Sequence, residues 1–353
     1  MNNQKVELLS PAGNLEKLKI AIKYGADAVY AGVSHFSLRI RAGKEFTFET
    51  FKEGIDYAHA RGKKVYATIN GFPFNSQIEL LKKHIATMAA LEPDGFIVAA
   101  PGVVKLCREI APQIDIHLST QANVLNYLDA QVFWDMGVKR IVVAREISLK
   151  DVIEIKKHLP DMEIEIFVHG SMCFAYSGRC LVSAVQMGRV PNRGSCANDC
   201  RFEYTLYAAN EDHSTLFRLE EEPGVGTYIF NSKDMNLASH IKEILDSGAV
   251  DSLKIEGRTK SPYYAAVTAK AYRNAIDDYY TGTFEADKYQ RELFTTKNRG
   301  FTDAYLIHRP FEKTDSQNHD YALSKGSYEV TGLVTEDEEH FLCKYKVYPN
   351  EDI

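Results

Sequence analysis

Short apolar, β-branched runs recur along this chain, and the stretches between them carry helical spacing. The runs fall at residues 6–9, 28–32, 64–70, 95–100, 114–119, 140–145, 163–169 and 251–256. Between the first two, Leu15, Leu18 and Ile22 repeat at the spacing of one helix face, and Ile20 and Ala21 widen it. Asn14 is placed to cap that helix, residues 15–24, and Gly25 to end it. Helices are also expected over residues 48–61, 237–245 and 262–280. Strands apolar on both faces belong to a parallel sheet covered on both sides. Eight such units predict an α/β chain folded as a (β/α)8 TIM-like barrel. A doubly wound open sheet is the alternative, but no G-x-G-x-x-G follows the first run.

The spacing of the runs breaks once. The seventh starts at residue 163 and the eighth at 251. The excess is a Cys-rich insertion over residues 170–236, with β-like stretches at 202–208 and 227–230. In a barrel the loops after strands form the reactive face, so this insertion is expected over the mouth. The barrel and its insertion are expected to occupy residues 1–283, and a polar segment, 284–325, to wrap them. Alternating positions at 328–334 and 340–347 flank an acidic turn, which predicts a C-terminal β hairpin within 326–353. Two strands are not a domain, so the hairpin either packs on the barrel or begins a truncated β domain.

Composition narrows the function. A chain of 353 residues with 45% hydrophobic content can bury a large core. A net charge of −6 argues against attachment to nucleic acid by bulk charge, while leaving room for a local basic patch. The start of the chain does not read as a signal peptide, and no apolar run is long enough for a membrane span. The expectation is a cytoplasmic protein. There, clustered cysteines point to metal or redox chemistry and not to disulfides.

Four of the six cysteines, Cys173, Cys180, Cys196 and Cys200, fall in one window spaced C-x6-C-x15-C-x3-C. Thiolates select zinc or iron–sulfur clusters. Structural zinc favours tight C-x2–4-C pairs at both ends, so an iron–sulfur cluster is preferred, with zinc as the alternative. Cys107 and Cys343 lie far away in sequence and read as thiols without chemistry. Arg179, Arg189, Arg193 and Arg201 flank the ligands, where they would offset a cluster's negative charge or meet RNA phosphates. His169 ends the seventh run. Lys254, Glu256 and Arg258 alternate out of the eighth, and Gly257 would let backbone approach a ligand. His169, Lys254 and Glu256 are the catalytic candidates. Asn70, Gln121, Arg145, Arg258 and the Arg39/Arg41 pair, at or beyond strand ends, are the substrate-binding candidates.

The run Glu165-x-Phe167-x2-Gly170-Ser171-Met172-Cys173-x4-Gly178-x-Cys180-x-Val182-Ser183 resembles the signature of the collagenase-like unassigned peptidase family thirty-two. ELLSPAGNLEKLKIAIKYGADAVYAG, HLSTQANVLN and SLKIEGRTKSPYY extend the resemblance over about residues 6–280. NRGSCANDCRFEY and SLKIEGRTK are most similar to members that hydroxylate tRNA. The resemblance implies a (β/α)8 barrel and a [4Fe–4S] cluster on Cys173, Cys180, Cys196 and Cys200. It implies formation of 5-hydroxyuridine at the tRNA wobble position, with prephenate as the hydroxyl source. Prephenate is a dianion and suits arginine forks. Other members act on ribosomal RNA or in ubiquinone synthesis, some work as paired subunits, and some carry the name protease or collagenase. A peptidase and a non-catalytic partner of a paralogous protein are therefore the rival readings.

Overall fold

The computed structural model describes residues 5–33, 36–38, 46–209, 216–218, 230–310, 313–321, 323–324, 326, 328, 332–334 and 340–343. Strands β1 (Glu7–Pro11), β2 (Ala28–Ala31), β3 (Lys64–Ile69), β4 (Gly95–Val98), β5 (Asp115–Leu118), β6 (Arg140–Val142) and β7 (Glu163–Ser171) pair in sequence order, all parallel. A ribbon, β8 (Tyr207–Ala209) with β9 (Leu216–Arg218), and a short strand, β10 (Asp234–Asn236), come next. Strand β11 (Ser252–Ile255) then pairs in parallel with both β7 and β1 and closes the ring. The predicted eight-stranded barrel is what forms.

Helices alternate with the strands: α1 (Leu15–Lys23), α2 (Phe48–His59), α3 (Ile78–Ala89), α4 (Pro101–Ile110), α5 (Tyr127–Asp135) and α6 (Leu149–His158). The insertion carries α7 (Val182–Met187), and α8 (Ile241–Asp246) leads into β11. Local chemistry sets their ends. Asn14 Oδ1 accepts from Lys17 N at 2.9 Å and starts α1. α9 (Pro262–Thr281) begins at Ser261, whose Oγ accepts from Tyr264 N, and stops at Gly282, φ +76°. Beyond it, α10 (Ala286–Phe294) buries Tyr289 and Leu293. Strand β12 (Phe301–Thr302) extends the sheet beside β10, and β13 (Gly332–Val334) pairs with β14 (Phe341–Cys343) as an antiparallel hairpin. The acidic turn predicted there, and residues 227–229, lie outside the described residues.

Period-two alternation divides the buried side chains into two sets. Leu8, Val29, Val65, Phe96, Ile116, Ile141, Ile164 and Leu253 belong to the main core under the helices. Their neighbours point inward. On β1 to β4 the inward set includes Leu9, Tyr30, Tyr66 and Ile97, a small apolar cluster of its own. On β5, β6, β7 and β11 the matching positions are His117, Arg140, Glu165 and Lys254, all buried. The barrel interior is thus apolar on one side and ionic on the other.

Candidate active site at the barrel mouth

A cavity of about 140 Å³ opens at the C-terminal ends of the strands. Asn70 follows β3, Gln121 follows β5, Arg145 follows β6, and Glu256 and Arg258 follow β11; all line it. This is the face where a parallel barrel carries its reactive groups.

The floor is built from the ionic half of the barrel. Lys254 Nζ lies 2.6 Å from Glu165 Oε1, and Glu165 Oε2 lies 3.2 Å from Arg140. Arg140 also reaches Glu163 at 2.6 Å and Glu7, and Tyr66 donates to Glu7 at 2.7 Å. Burial pushes the Glu165 carboxyl up, but Lys254 and Arg140 outweigh it and hold it below the usual carboxylate range. Lys254 Nζ also sits 4.5 Å from the Tyr30 ring centroid, a cation–π contact. His117 is held well below its ordinary pKa by burial, with Arg140 and Lys254 adding to it, so its ring stays neutral.

Two more cations stand higher. Arg145 lies 3.6 Å from Glu256 and 4.2 Å from the Phe167 ring. Arg258 donates to Ser37 Oγ (2.8 Å), Thr68 Oγ1 (3.1 Å) and the Leu38 carbonyl, so it also anchors the segment after β2. Arg39 and Arg41 lie outside the described residues. Gly257 has φ +149°, and a Cβ there would meet the Tyr264 ring at 2.4 Å. It makes room for that ring, not for a ligand as the sequence suggested.

The roof is the cysteine loop. Residues from four neighbouring segments hold it across the mouth. Phe72 N donates to Asn192 O, and Arg193 reaches Gln77 at 3.0 Å and stacks on Phe74. Arg179 donates to Gln121 O at 3.0 Å. Ser177, buried at φ +40°, is clamped by Glu146 and accepts from Arg145 N. Arg201 donates to Asn231 and to the carbonyls of Ser232 and Met172, which ties the loop's end to its start. Arg189 donates to Cys196 O. All four arginines expected to face RNA therefore have partners inside the protein, and of the four only Arg179 is exposed.

Cys173, Cys180, Cys196 and Cys200 all line the cavity. Burial raises the pKa of Cys180 and of Cys200, and nearby cluster cysteines raise each further. Among the described residues no three His, Cys, Asp or Glu side chains stand close enough together to hold a single metal ion. Cys107 is buried in α4 and pushed up to about 12, an inert thiol, and Cys343 is exposed.

His169 is not in the cavity lining. β7 and β11 slip register here: Lys254 pairs with Phe167, but Ile255 pairs with His169. The slip breaks alternation, and the ring packs among Tyr264, Tyr272 and Phe301. Burial lowers its pKa to about 3. His169, expected among the catalytic residues, thus stands outside the cavity lining as a neutral ring packed among aromatic side chains.

Residues 13–316 match peptidase family U32. Similarity to curated proteins is far higher than a shared barrel requires. Over 346 residues the chain is 69% identical to "tRNA hydroxylation protein P" of Helicobacter pylori, covering 98% of this chain and 82% of that one. The Escherichia coli protein of the same name is 41% identical over 357 residues, covering 91% and 78%. The chain belongs to peptidase family U32. The family spans different names: a "Collagenase" of Porphyromonas gingivalis is 31% identical over 320 residues, covering 87% of this chain and 75% of that one. Among the described residues no helix is long and apolar enough to cross a membrane.

Sequence reasoning missed Asp199. It lines the cavity, is 1% exposed, and neither carboxylate oxygen has a hydrogen-bond partner among the described residues. Its signal was present, a charged residue directly before the last clustered cysteine, but burial of its side chain is not written in the spacing.

Proposed function

We propose that this chain is a cytoplasmic RNA-modifying enzyme that hydroxylates C5 of the wobble uridine of tRNA. A [4Fe–4S] cluster on Cys173, Cys180, Cys196 and Cys200 and a dianionic co-substrate, prephenate, complete the reading. The observation that carries it is that one cavity is lined by all four clustered thiols together with Lys254, Arg145 and Arg258. The similarity to proteins named for tRNA hydroxylation supports the reaction class.

The donor set suits a cluster better than zinc. One zinc ion draws four thiolates into one tight tetrahedron, whereas a cubane ties each to a different iron and spreads them. All four thiols line one cavity, and the C-x6-C spacing of the first pair is wider than structural zinc favours. A bound cluster would supply electron-transfer chemistry beside the cavity. The chain's own residues do the rest. Arg145 and Arg258 put two guanidinium charges in the lining, which would draw a dianion into the cavity, although both side chains also have partners within the protein. Lys254, fixed by Glu165, holds positive charge at the floor. Glu256, beside Arg145, is the carboxylate placed to accept a proton at the mouth. An anticodon loop already exposes unstacked bases, so a uridine enters the mouth with little unpairing cost.

The test is restoration of 5-hydroxyuridine, read by mass spectrometry of tRNA nucleosides, in cells lacking this activity. Wild type restores it and Cys173→Ala does not. Full restoration by Cys173→Ala contradicts a cluster-dependent reaction. Proteolysis by highly purified protein that vanishes in a cavity point variant would favour the peptidase reading instead.

A further inference from the structure

We propose that Asp199 is the residue that selects uracil, by accepting the hydrogen bond of the base's N3–H. This rests on the RNA-hydroxylase reading and names the specificity determinant of the same cavity.

The argument starts from an unmet demand. Asp199 is 1% exposed, and both its side-chain oxygens are buried without a hydrogen-bond partner among the described residues. Its backbone is not adrift. The Asp199 carbonyl accepts from Phe202 N at 3.1 Å and from the Tyr204 hydroxyl at 3.0 Å. The neighbouring turn is set by Asn198 at φ +63°, and Ala197 N donates to Ser183 Oγ. A fixed backbone thus holds a buried carboxylate in the cavity wall with nothing to receive it. Native proteins seldom leave such a group unpaired, because its desolvation is not repaid by any bond.

The cavity's own cations do not meet the demand. Lys254 is paired with Glu165 and Arg145 with Glu256, while Arg258 is spent on Ser37, Thr68 and Leu38. Among the described residues no donor meets it, so a ligand that fills this cavity is asked for a donor. Two amides that also line the cavity ask for the opposite. Asn70 Oδ1 already accepts from Leu38 N at 3.1 Å, and Gln121 Oε1 from Ser119 Oγ at 3.3 Å. What each amide offers a ligand is its NH2, a donor. The cavity lining thus offers a ligand one acceptor group and two amide donors.

Uracil carries the complement: N3–H between two carbonyl oxygens. Cytosine does not, since its N3 is a lone pair and its C4 bears an amino group. N3 and C5 flank C4 on the ring. A base that presents C5 to the cavity floor therefore turns N3 away from it, toward the roof, where the cysteine loop carries Asp199. Against cytosine the carboxylate would face a lone pair, and leaving buried groups unpaired is what makes polar discrimination steep.

The experiment measures binding, so it does not depend on turnover. Anaerobically prepared wild type and Asp199→Ala are titrated with anticodon stem-loop RNAs whose target nucleoside is uridine, cytidine or 3-methyluridine. Methylation at N3 removes the N–H and leaves both carbonyls. Wild type is expected to prefer uridine over 3-methyluridine by roughly 10-fold or more, and Asp199→Ala to bind the two alike. Asp199→Asn, nearly isosteric, keeps the loop filled should the alanine variant misfold, and is expected to lose the preference for uridine over cytidine. If wild type binds uridine and 3-methyluridine RNA equally, the Asp199 assignment is wrong while the hydroxylase reading stands. The same holds if Asp199→Ala weakens both by the same factor, as a purely structural residue would. If wild type binds none of the RNAs, the parent reading falls and takes the assignment with it.

Discussion

Floor and roof of the cavity are both polar, but they are satisfied in different ways. In the floor each buried charge has its counterpart: Lys254 with Glu165, Glu165 with Arg140, Arg140 with Glu7 and Glu163. In the roof, among the described residues, Asp199 keeps two buried oxygens without hydrogen-bond partners, and Arg189 Nε and Asn192 Oδ1 likewise have none. A closed ionic network needs nothing from outside to fold and fixes its side chains before substrate arrives. A loop with unmet polar groups and four clustered thiols is built to be completed by what it binds. The barrel supplies a prepared surface, and on the proposed reading the loop would supply the ligands of a cofactor and the contact to a base.

The sharpest way to break this contrast is to unpair the floor. Glu165→Ala leaves Lys254 and Arg140 buried without their shared carboxylate, and should cost about 3–5 kcal/mol in urea unfolding of the cluster-free protein. A loss under about 1 kcal/mol would show that the floor is wetter or looser than its geometry. Within the roof the arginines divide. Arg201→Ala strips donors from the Met172 and Ser232 carbonyls and should cost about 1–3 kcal/mol, with faster proteolysis of the cysteine loop as a second readout. Arg179→Ala, at an exposed site, should stay within about 0.5 kcal/mol of wild type.

A further effect concerns pH. His169 stays neutral in the fold because burial lowers its pKa to about 3, while the unfolded ring takes up a proton near the model-peptide value of about 6.5. Its contribution to stability is therefore complete above that value and is lost as pH falls toward 3. His117 acts in the same direction. Unfolding between pH 7 and pH 5 should show stability falling with acidity, and His169→Asn should make that slope shallower. An unchanged slope would mean that the ring is already protonated in the fold.

The same contrast separates what the sequence makes legible from what it does not. Apolar runs with period two report strands directly, and the eight barrel strands follow from them. β10 escaped notice because it is a three-residue Asp-Met-Asn segment whose only signal is its antiparallel pairing with the end of β7. That pairing also carries β7 on to Ser171, past the predicted end at His169. Alternation placed Lys254, Glu256 and Arg258 in the cavity lining, but misled at His169, because one register slip reverses the face of every later residue. Cysteine spacing marked the four thiols that share the cavity. The roles of the loop arginines and of Asp199 depend on which segments meet in space, and no local pattern records that.

The most direct test of the account is a count of iron and sulfide in anaerobically purified protein, read with its absorption spectrum. The account predicts about four irons and about four sulfides per chain and a broad band near ~400 nm, all lost in Cys173→Ala while the barrel stays folded. A colourless protein carrying one zinc, even after anaerobic reconstitution, would contradict it and make the cysteine loop a structural clasp.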